Sequence, residues 1–225
     1  MKIYDKIAGE TAREYAFRIL INNIISLELE PGSSISENEL SKEIGISRTP
    51  IREAIIDLHH ALIVEIYPQR GSSIALIDPI LVEESRFLRE VLDVAVIELA
   101  CKVATKEDIS LLEENVKLQE FYLSNFKLDK IMELDDEFHR MIFAIAKKER
   151  IYNMKSTMMI HYDRVRTLSL VTVKDQKIVS DHRMMMEAIR KHDSVEAGEL
   201  VRKHLNRYTV DKEEIKKRYP KYFKM

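Results

Sequence analysis

The stretch from residue 31 to residue 75, PGSSISENELSKEIGISRTPIREAIIDLHHALIVEIYPQRGSSIA, decides the fold. Ser36-Glu37-Asn38-Glu39 has the form of a capping box, in which the Ser side chain meets the Glu39 amide and the Glu39 carboxylate reaches back. It predicts a short helix ending near Glu43. The turn Ile44-Gly45-Ile46 leads to Ser47, a second capping residue, and Pro50 is tolerated because the first helical turn has no amide partners to lose. A further helix is then predicted over Arg48 to His60. Ile51, Ala54, Ile55 and Leu58 share its inward face, while Arg48, Thr49 and Arg52 crowd its exposed N-terminal end. Two short helices joined by a Gly-containing turn form a helix-turn-helix. The β-branched runs IVEIY (63–67) and SIALI (73–77) follow, separated by Pro68-Gln69-Arg70-Gly71, which predicts a hairpin wing with Arg70 at its tip.

Upstream, Ala12, Tyr15, Ala16, Ile19, Leu20, Ile24 and Leu27 recur at helical spacing, with Asn23 the one polar interruption, and Pro31-Gly32 closes this first helix. Downstream the pattern is helical throughout, with periodic segments near 79–103, 106–125, 129–147, 149–168, 173–191 and 194–217. Thr105-x-x-Asp108 and Asp193-x-x-Glu196 are capping-type starts. The tail KKRYPKYFKM is basic and interrupted by Pro220, so a frayed end is expected there.

Composition agrees with this reading. Hydrophobic residues make up 45% of the 225, charged residues 33%, and Gly and Pro number five each, which suits long helices with few loops. The length favours two domains. The expected architecture is mainly α: a winged helix-turn-helix over residues 1–77 and an all-α bundle of about six helices over 78–225. No run of about 18 apolar residues occurs and the start lacks an apolar leader segment, so a cytoplasmic protein without a membrane partner is expected. Cys101 stands alone within VIELACKVA, which rules out an intramolecular disulfide and fits a core position in a reducing compartment. Residues 1–77 hold 8 Lys and Arg against 11 Asp and Glu, leaving 28 against 27 for the rest. An acidic reading head neutralises few phosphates, so specificity must lean on an Arg pair and on dimerisation.

The chemistry of the first domain is that of double-stranded DNA. A recognition helix enters the major groove N-terminus first, and Arg48 and Arg52, one turn apart, can each bond guanine O6 and N7. Ser47, Thr49 and the helix N-terminal amides suit phosphate oxygens, and Arg70 on the wing reaches backbone or minor groove.

The second domain carries a polar group among core positions. On 129–147 the stripe is Ile131, Leu134, Phe138, Ile142 and Ile145, with Asp135 and His139 flanking it at i,i+4. Asp136 and Glu137 point round towards solvent. His182 occupies an apolar slot beside Ile178, Met185 and Ile189, and His204 does the same beside Ala197, Val201 and Tyr208. One inward His is an ordinary core feature. Three with a carboxylate make sense as ligands of a divalent transition metal, Zn²⁺ or Ni²⁺ foremost, since an unpaired buried carboxylate costs several kcal/mol, roughly. On 149–168 the expected stripe is Met154, Met158, Val165 and Leu168, with His161 facing the cavity and Arg164 a solvated charge. The Met-rich stretches read as gap-filling core.

PGSSISENELSKEIGISRTPIREAIIDLHHALIVEIYPQRGSSIA resembles the DNA-binding domain of GntR-family bacterial transcription regulators over about residues 10–77. That resemblance implies DNA contacts at Asn38, Ser47, Arg48, Thr49, Arg52, Arg70 and Gly71, with Asn38 standing where family members often carry Arg. His59-His60-Ala61-Leu62 also departs from the family's usual acidic residue and Gly before the Leu. ESRFLREVLD, DDEFH and SDHRMMMEAIRKHD followed by VRKHL resemble the FCD domain of the FadR-type subfamily over about 80–210. This second resemblance implies a metal held by Asp135, His139, His182 and His204, a small carboxylate metabolite as effector, and Arg86 near the cavity as its clamp. The leading expectation is a homodimeric regulator whose operator affinity responds to a metal-anchored organic acid, rather than an enzyme. A metal-dependent enzyme and a metal-free dimerisation module are the alternatives.

Overall fold

The computed structural model describes residues 1–125, 127–173 and 177–224; the side chains of 128, 129, 156, 173 and 208–210 lie outside that description, and with them the expected place of Tyr208 in a stripe. The chain divides into two compact units, Met1–Glu83 with Ile160–Thr167 and Lys216–Met225, and Glu84–Met159 with Leu168–Ile215.

The first unit holds α1 (Ala12–Ile25), β1 (Ser34–Ile35), α2 (Glu37–Ile44), α3 (Arg48–His60), β2 (Val64–Tyr67) and β3 (Gly71–Ile74). Tyr15, Ile19, Leu20 and Ile24 of α1 pack with Leu40, Ile44, Ile51, Ile55, Leu58, Ile63 and Ile74 in one core. Asn23 interrupts the α1 stripe because it clasps the N-terminal segment: its amide donates to the Lys2 and Ile19 carbonyls and its Oδ1 accepts from the Lys2 amide at 2.7 Å. Gly45 ends α2 at φ 77°, a left-handed position that glycine adopts without a Cβ clash. Neither Ser36 nor Ser47 makes the side-chain cap expected of it, whereas Thr105–Asp108 forms a full capping box and Asp193 accepts from the Glu196 amide. The side chain that pairs next to Ser36 is Glu37, which turns to α3 instead.

The sheet is antiparallel in the order β1-β3-β2, with Tyr67 opposite Gly71 and Val64 opposite Ile74. β1 is two residues long, too short for periodicity to reveal. The second wing strand lies earlier than expected because the loop holds only Pro68, Gln69 and Arg70, and Gly71 at φ 92° is already paired. Ile77 leaves the wing and bridges Phe223 instead, its amide donating to the Tyr222 carbonyl at 2.8 Å while its carbonyl accepts from the Lys224 amide at 2.9 Å. The tail is therefore packed, not frayed: Phe223 is buried, which anchors the chain end despite Pro220.

The helical part comprises α4 (Pro79–Val103), α5 (Lys106–Ser124), α6 (Leu128–Ile145), α7 (Glu149–Val173), α8 (Lys177–Arg190), α9 (Ser194–Leu205) and α10 (Arg207–Arg218). The single expected segment 194–217 is broken at Asn206, which caps α9. On α7, Met154 and Met158 are exposed while Lys155 and Met159 are buried, so the N-terminal half of the helix is turned away from the expected stripe. Val165 and Leu168 face inward as expected. No helix among the described residues is long and apolar enough to cross a membrane.

Candidate metal centre and nucleic-acid interface

Helix α6 presents Asp135 and His139 one turn apart, α8 supplies His182 and α9 supplies His204. All four are buried, and one ligand atom from each falls within 4.8 Å of the others. Asp136, by contrast, is exposed.

The outer nitrogen of each ring faces an acceptor from another part of the unit. His182 Nδ1 lies 2.7 Å from Gln119 Oε1. Gln119 Nε2 donates to Asn115 Oδ1 at 2.7 Å and towards the Leu134 carbonyl at 3.4 Å, so its Oε1 must accept and His182 must carry its proton on Nδ1. His139 Nδ1 faces Asp93 Oδ2 at 3.4 Å, and His204 Nδ1 faces Asp181 Oδ2, also at 3.4 Å. Arg207 donates to the same Asp181 oxygen at 2.6 Å. Such outer partners fix tautomer and ring orientation and leave Nε2 lone pairs pointing inward.

The inward atoms are acceptors facing acceptors. His182 Nε2 is 3.5 Å from Asp135 Oδ1 and His139 Nε2 is 3.9 Å from Asp135 Oδ2. Both Nε2 atoms are buried without a hydrogen-bond partner. Protonation does not resolve this: burial foremost, with the positive charge of Arg89 next, holds His139 well below the usual imidazole range, and burial brings His182 to about 3. Burial pushes the Asp181 carboxyl up, but His204 and Arg207 together bring it to about 2. A cation between the His139 and His182 rings and the Asp135 carboxylate would satisfy both orphaned Nε2 atoms. Ligands roughly 2.0–2.2 Å from a central ion lie close enough to one another that only small side-chain shifts are required here.

A second layer was not legible as a site in the sequence. Arg89 Nη2 lies 3.8 Å from Asp135 Oδ2, and Arg89 Nε and Lys155 Nζ both hold Asp93, at 3.1 and 2.6 Å. All three of these charged side chains are buried. Arg86, expected near the cavity, instead pairs with Glu90 at 2.8 Å and reaches Asn206 Oδ1 at 3.4 Å. The signal was the inward row of α4, in which Ser85, Arg89, Asp93, Val96 and Ala100 are buried together and Arg86 falls one step off.

His161 does not join the four. It belongs to the first unit, where its Nε2 donates to the Ala61 carbonyl at 2.9 Å and its Nδ1 accepts from Arg164. Arg164 is wholly buried, not solvated: it donates to the Ala75 carbonyl at 2.8 Å, and burial pushes its pKa down to about 10.

In the first unit, Asn38, Ser47, Arg48, Thr49, Arg52, Arg70 and Gly71 are all exposed. Arg52 grips Glu37 through two bonds of 3.0 Å, and Arg48 reaches the same carboxylate at 3.3 Å. Arg52 foremost holds Glu37 below the usual carboxylate range. One half-buried acid thus gathers both reading cations beside the N-terminus of α3.

A winged helix-turn-helix with an exposed Arg pair, joined to a helical domain enclosing a His/Asp cluster, defines a DNA-binding regulator. Comparison with known proteins agrees. Residues 13–74 match the model for bacterial regulatory proteins of the gntR family, and residues 84–207 match the FCD domain. The chain belongs to the GntR family of transcription regulators, with an FCD domain, and is not an enzyme. It is 28% identical to the HTH-type transcriptional repressor RspR of Escherichia coli K12, over 95% of this chain and 94% of that one. It is 29% identical to an HTH-type transcriptional regulator in an unstable DNA locus of Streptomyces ambofaciens, over 96% and 91%. Its fold is similar to that of E. coli McbR/YncC, with a TM-score of 0.80, 14% identity, and coverage of 93% of this chain and 99% of that one.

Proposed function

We propose that this regulator is controlled by a small organic acid bound at a transition-metal site in its FCD domain. The observation that carries the reading is the pair of buried, partnerless Nε2 atoms of His139 and His182 facing the Asp135 carboxylate. Asp135, His139, His182 and His204 would hold the ion, and three imidazoles with one carboxylate suit Zn²⁺ or Ni²⁺. When bound, the metal supplies Lewis acidity and open coordination positions for carboxylate oxygens. Arg89 and Lys155 place two further positive groups beside the site. Arg89 takes over the clamping role expected of Arg86, because a guanidinium can fork a carboxylate and this one is buried next to the cluster.

Two copies of the chain read two half-sites of one operator. In each head Arg48 and Arg52 exchange the Glu37 carboxylate for base edges, while Ser47, Thr49, Asn38, Gly71 and Arg70 meet the phosphate backbone or minor groove. Control requires the acid to bind two arrangements of the heads with unequal affinity, since equal affinity shifts nothing. The test is calorimetric titration of a panel of two- to six-carbon organic acids into metal-loaded and chelator-treated protein, followed by operator binding with each acid that binds. Binding is expected in the loaded protein and absent after chelation, with operator affinity changed by about 5- to 150-fold. Equal binding before and after chelation refutes the metal-anchored reading.

A further inference from the structure

The reading head is not complete at residue 77. Ile160–Thr167 of α7 belong to the first compact unit. Ile160 joins the core of that unit with Ile63 and Ile74, and Arg164, one turn further on, is wholly buried. His161 is buried beside them. Arg164 can only donate, so the His161 Nδ1 that it meets at 3.3 Å must accept. The ring proton therefore sits on Nε2, 2.9 Å from the Ala61 carbonyl. Arg164 Nη1 donates to the Ala75 carbonyl at 2.8 Å. Burial foremost holds His161 below the usual imidazole range, in keeping with a neutral ring.

Both carbonyls stand at the base of the DNA-reading elements. Ala61 caps the C-terminal end of α3, and Ala75 follows the last residue of β3. The Ala75 amide donates to the Ile63 carbonyl at 2.8 Å, so the end of α3, the entry to β2 and the exit of the wing are tied at one place. Leverage makes that place matter. With 13 residues in α3, Arg48 lies about 20 Å from Ala61, and a tilt of about 5° at the base carries it through about 2 Å. A hydrogen bond to a base edge does not survive a shift of that size. The clamp is also a poor way to gain stability. The partners of Arg164 are a neutral ring nitrogen and a carbonyl oxygen, no carboxylate among the described residues joins them, and its Nε is buried without a partner. Burial pulls the guanidinium down to about 10, so it stays charged at neutral pH. A buried cation without a counter-charge is less stable than an apolar side chain of similar size in the same place.

We propose that His161 and Arg164 are positioning residues for operator recognition: they fix the angle between α3 and the wing, and through it the places at which Arg48, Arg52 and Arg70 meet DNA. The proposal rests on the recognition-helix reading given above. Both side chains are buried, so they act through the two carbonyls and not by touching DNA.

The experiment is a binding titration of the full chain against two probes, a duplex selected by the wild-type chain from a random library and a scrambled duplex of the same length. Arg164→Met keeps a long side chain while removing the donors and the buried charge. Its Kd for the selected duplex is expected to rise at least about 10-fold, its Kd for the scrambled duplex to stay within about 2-fold, and its thermal midpoint not to fall. His161→Leu is expected to lose affinity for the selected duplex in the same way. His161→Gln, whose amide can donate to Ala61 and accept from Arg164, is expected to recover most of that loss. Unchanged affinity for the selected duplex in both Arg164→Met and His161→Leu overturns the proposal. A loss that falls equally on both duplexes, or one that His161→Gln does not recover, assigns the pair to fold support alone and overturns it too. The double Arg48→Ala, Arg52→Ala variant in the same titration separates the two readings. A loss there with none in Arg164→Met sinks the clamp only, whereas no loss there removes α3 from the reading role and the clamp with it.

Discussion

The reading head and the buried His/Asp cluster both gather ionisable groups around one carboxylate, and they do so in opposite media. Around Glu37, two guanidiniums meet a carboxylate in water. Their side chains are more than half exposed, and the pairing is screened and exchangeable. Around Asp135, two imidazoles and a guanidinium meet a carboxylate with almost no solvent. There an unmatched acceptor has no water to turn to, and its cost stays in the folded state until a cation arrives. Exposed charge is suited to a partner that comes and goes along a surface, as DNA does; buried charge is suited to a ligand held from all sides.

Breaking the buried side is expected to give the largest effects. His182→Ala removes an inward donor and should weaken metal binding by roughly 100-fold or more, while Asp136→Ala, at an exposed neighbour of Asp135, should leave it unchanged; titration with a metal-sensitive dye competitor checks both. Gln119→Leu, which frees the His182 tautomer without touching an inward atom, should cost about 10- to 100-fold in the same assay. An outcome in which Asp136→Ala does more harm than His182→Ala would reverse the assignment of faces on α6.

Acid should separate the two regions next. His182 titrates near 3 in the folded protein against an ordinary 6.5, so between those values the unfolded chain binds more protons than the folded one. Stability of metal-free protein is therefore full above about pH 6.5 and falls as the pH drops towards 3, with His139 adding in the same direction. Thermal unfolding across that range, with and without chelator, measures it, and a flat profile in metal-free protein would contradict the burial of these rings in neutral form.

The smallest effects belong to the exposed side. Arg48→Ala and Arg52→Ala should each cost about 1–3 kcal/mol at particular base pairs and relax the sequence preference there, whereas Arg70→Ala should weaken all sequences alike. Operator binding against a library of single-base variants distinguishes the two patterns. Unchanged binding in the double Arg48→Ala, Arg52→Ala variant would remove α3 from the recognition role.

Much of this contrast was legible in the sequence because periodicity reports burial. The span of α3, Arg48–His60, and that of α4, Pro79–Val103, match the helical pattern residue for residue. The four cluster residues emerged from polar side chains sitting in apolar stripes. What periodicity cannot report is a charged side chain buried against another charged side chain. Arg89, Asp93 and Lys155 give no sign of burial in the pattern, and Arg164 read as a solvated charge, because partners come from distant segments: Asp93 with Lys155, Arg164 with the Ala75 carbonyl. The same limit hid the tail, whose Pro220 suggested fraying while Phe223 found Ile77 far back along the chain. Local pattern also misled at Ser36 and Ser47, where the capping residue type is present but the side-chain bond is not formed.

The central claim is that the buried His/Asp cluster is a metal site, and elemental analysis of the full chain purified without an affinity tag or added metal tests it most directly. The expected result is close to one equivalent of a divalent transition metal per chain, lost in Asp135→Ala and kept in Asp136→Ala. Wild-type protein that carries no transition metal, and takes none up when Zn²⁺ or Ni²⁺ is offered, would contradict it.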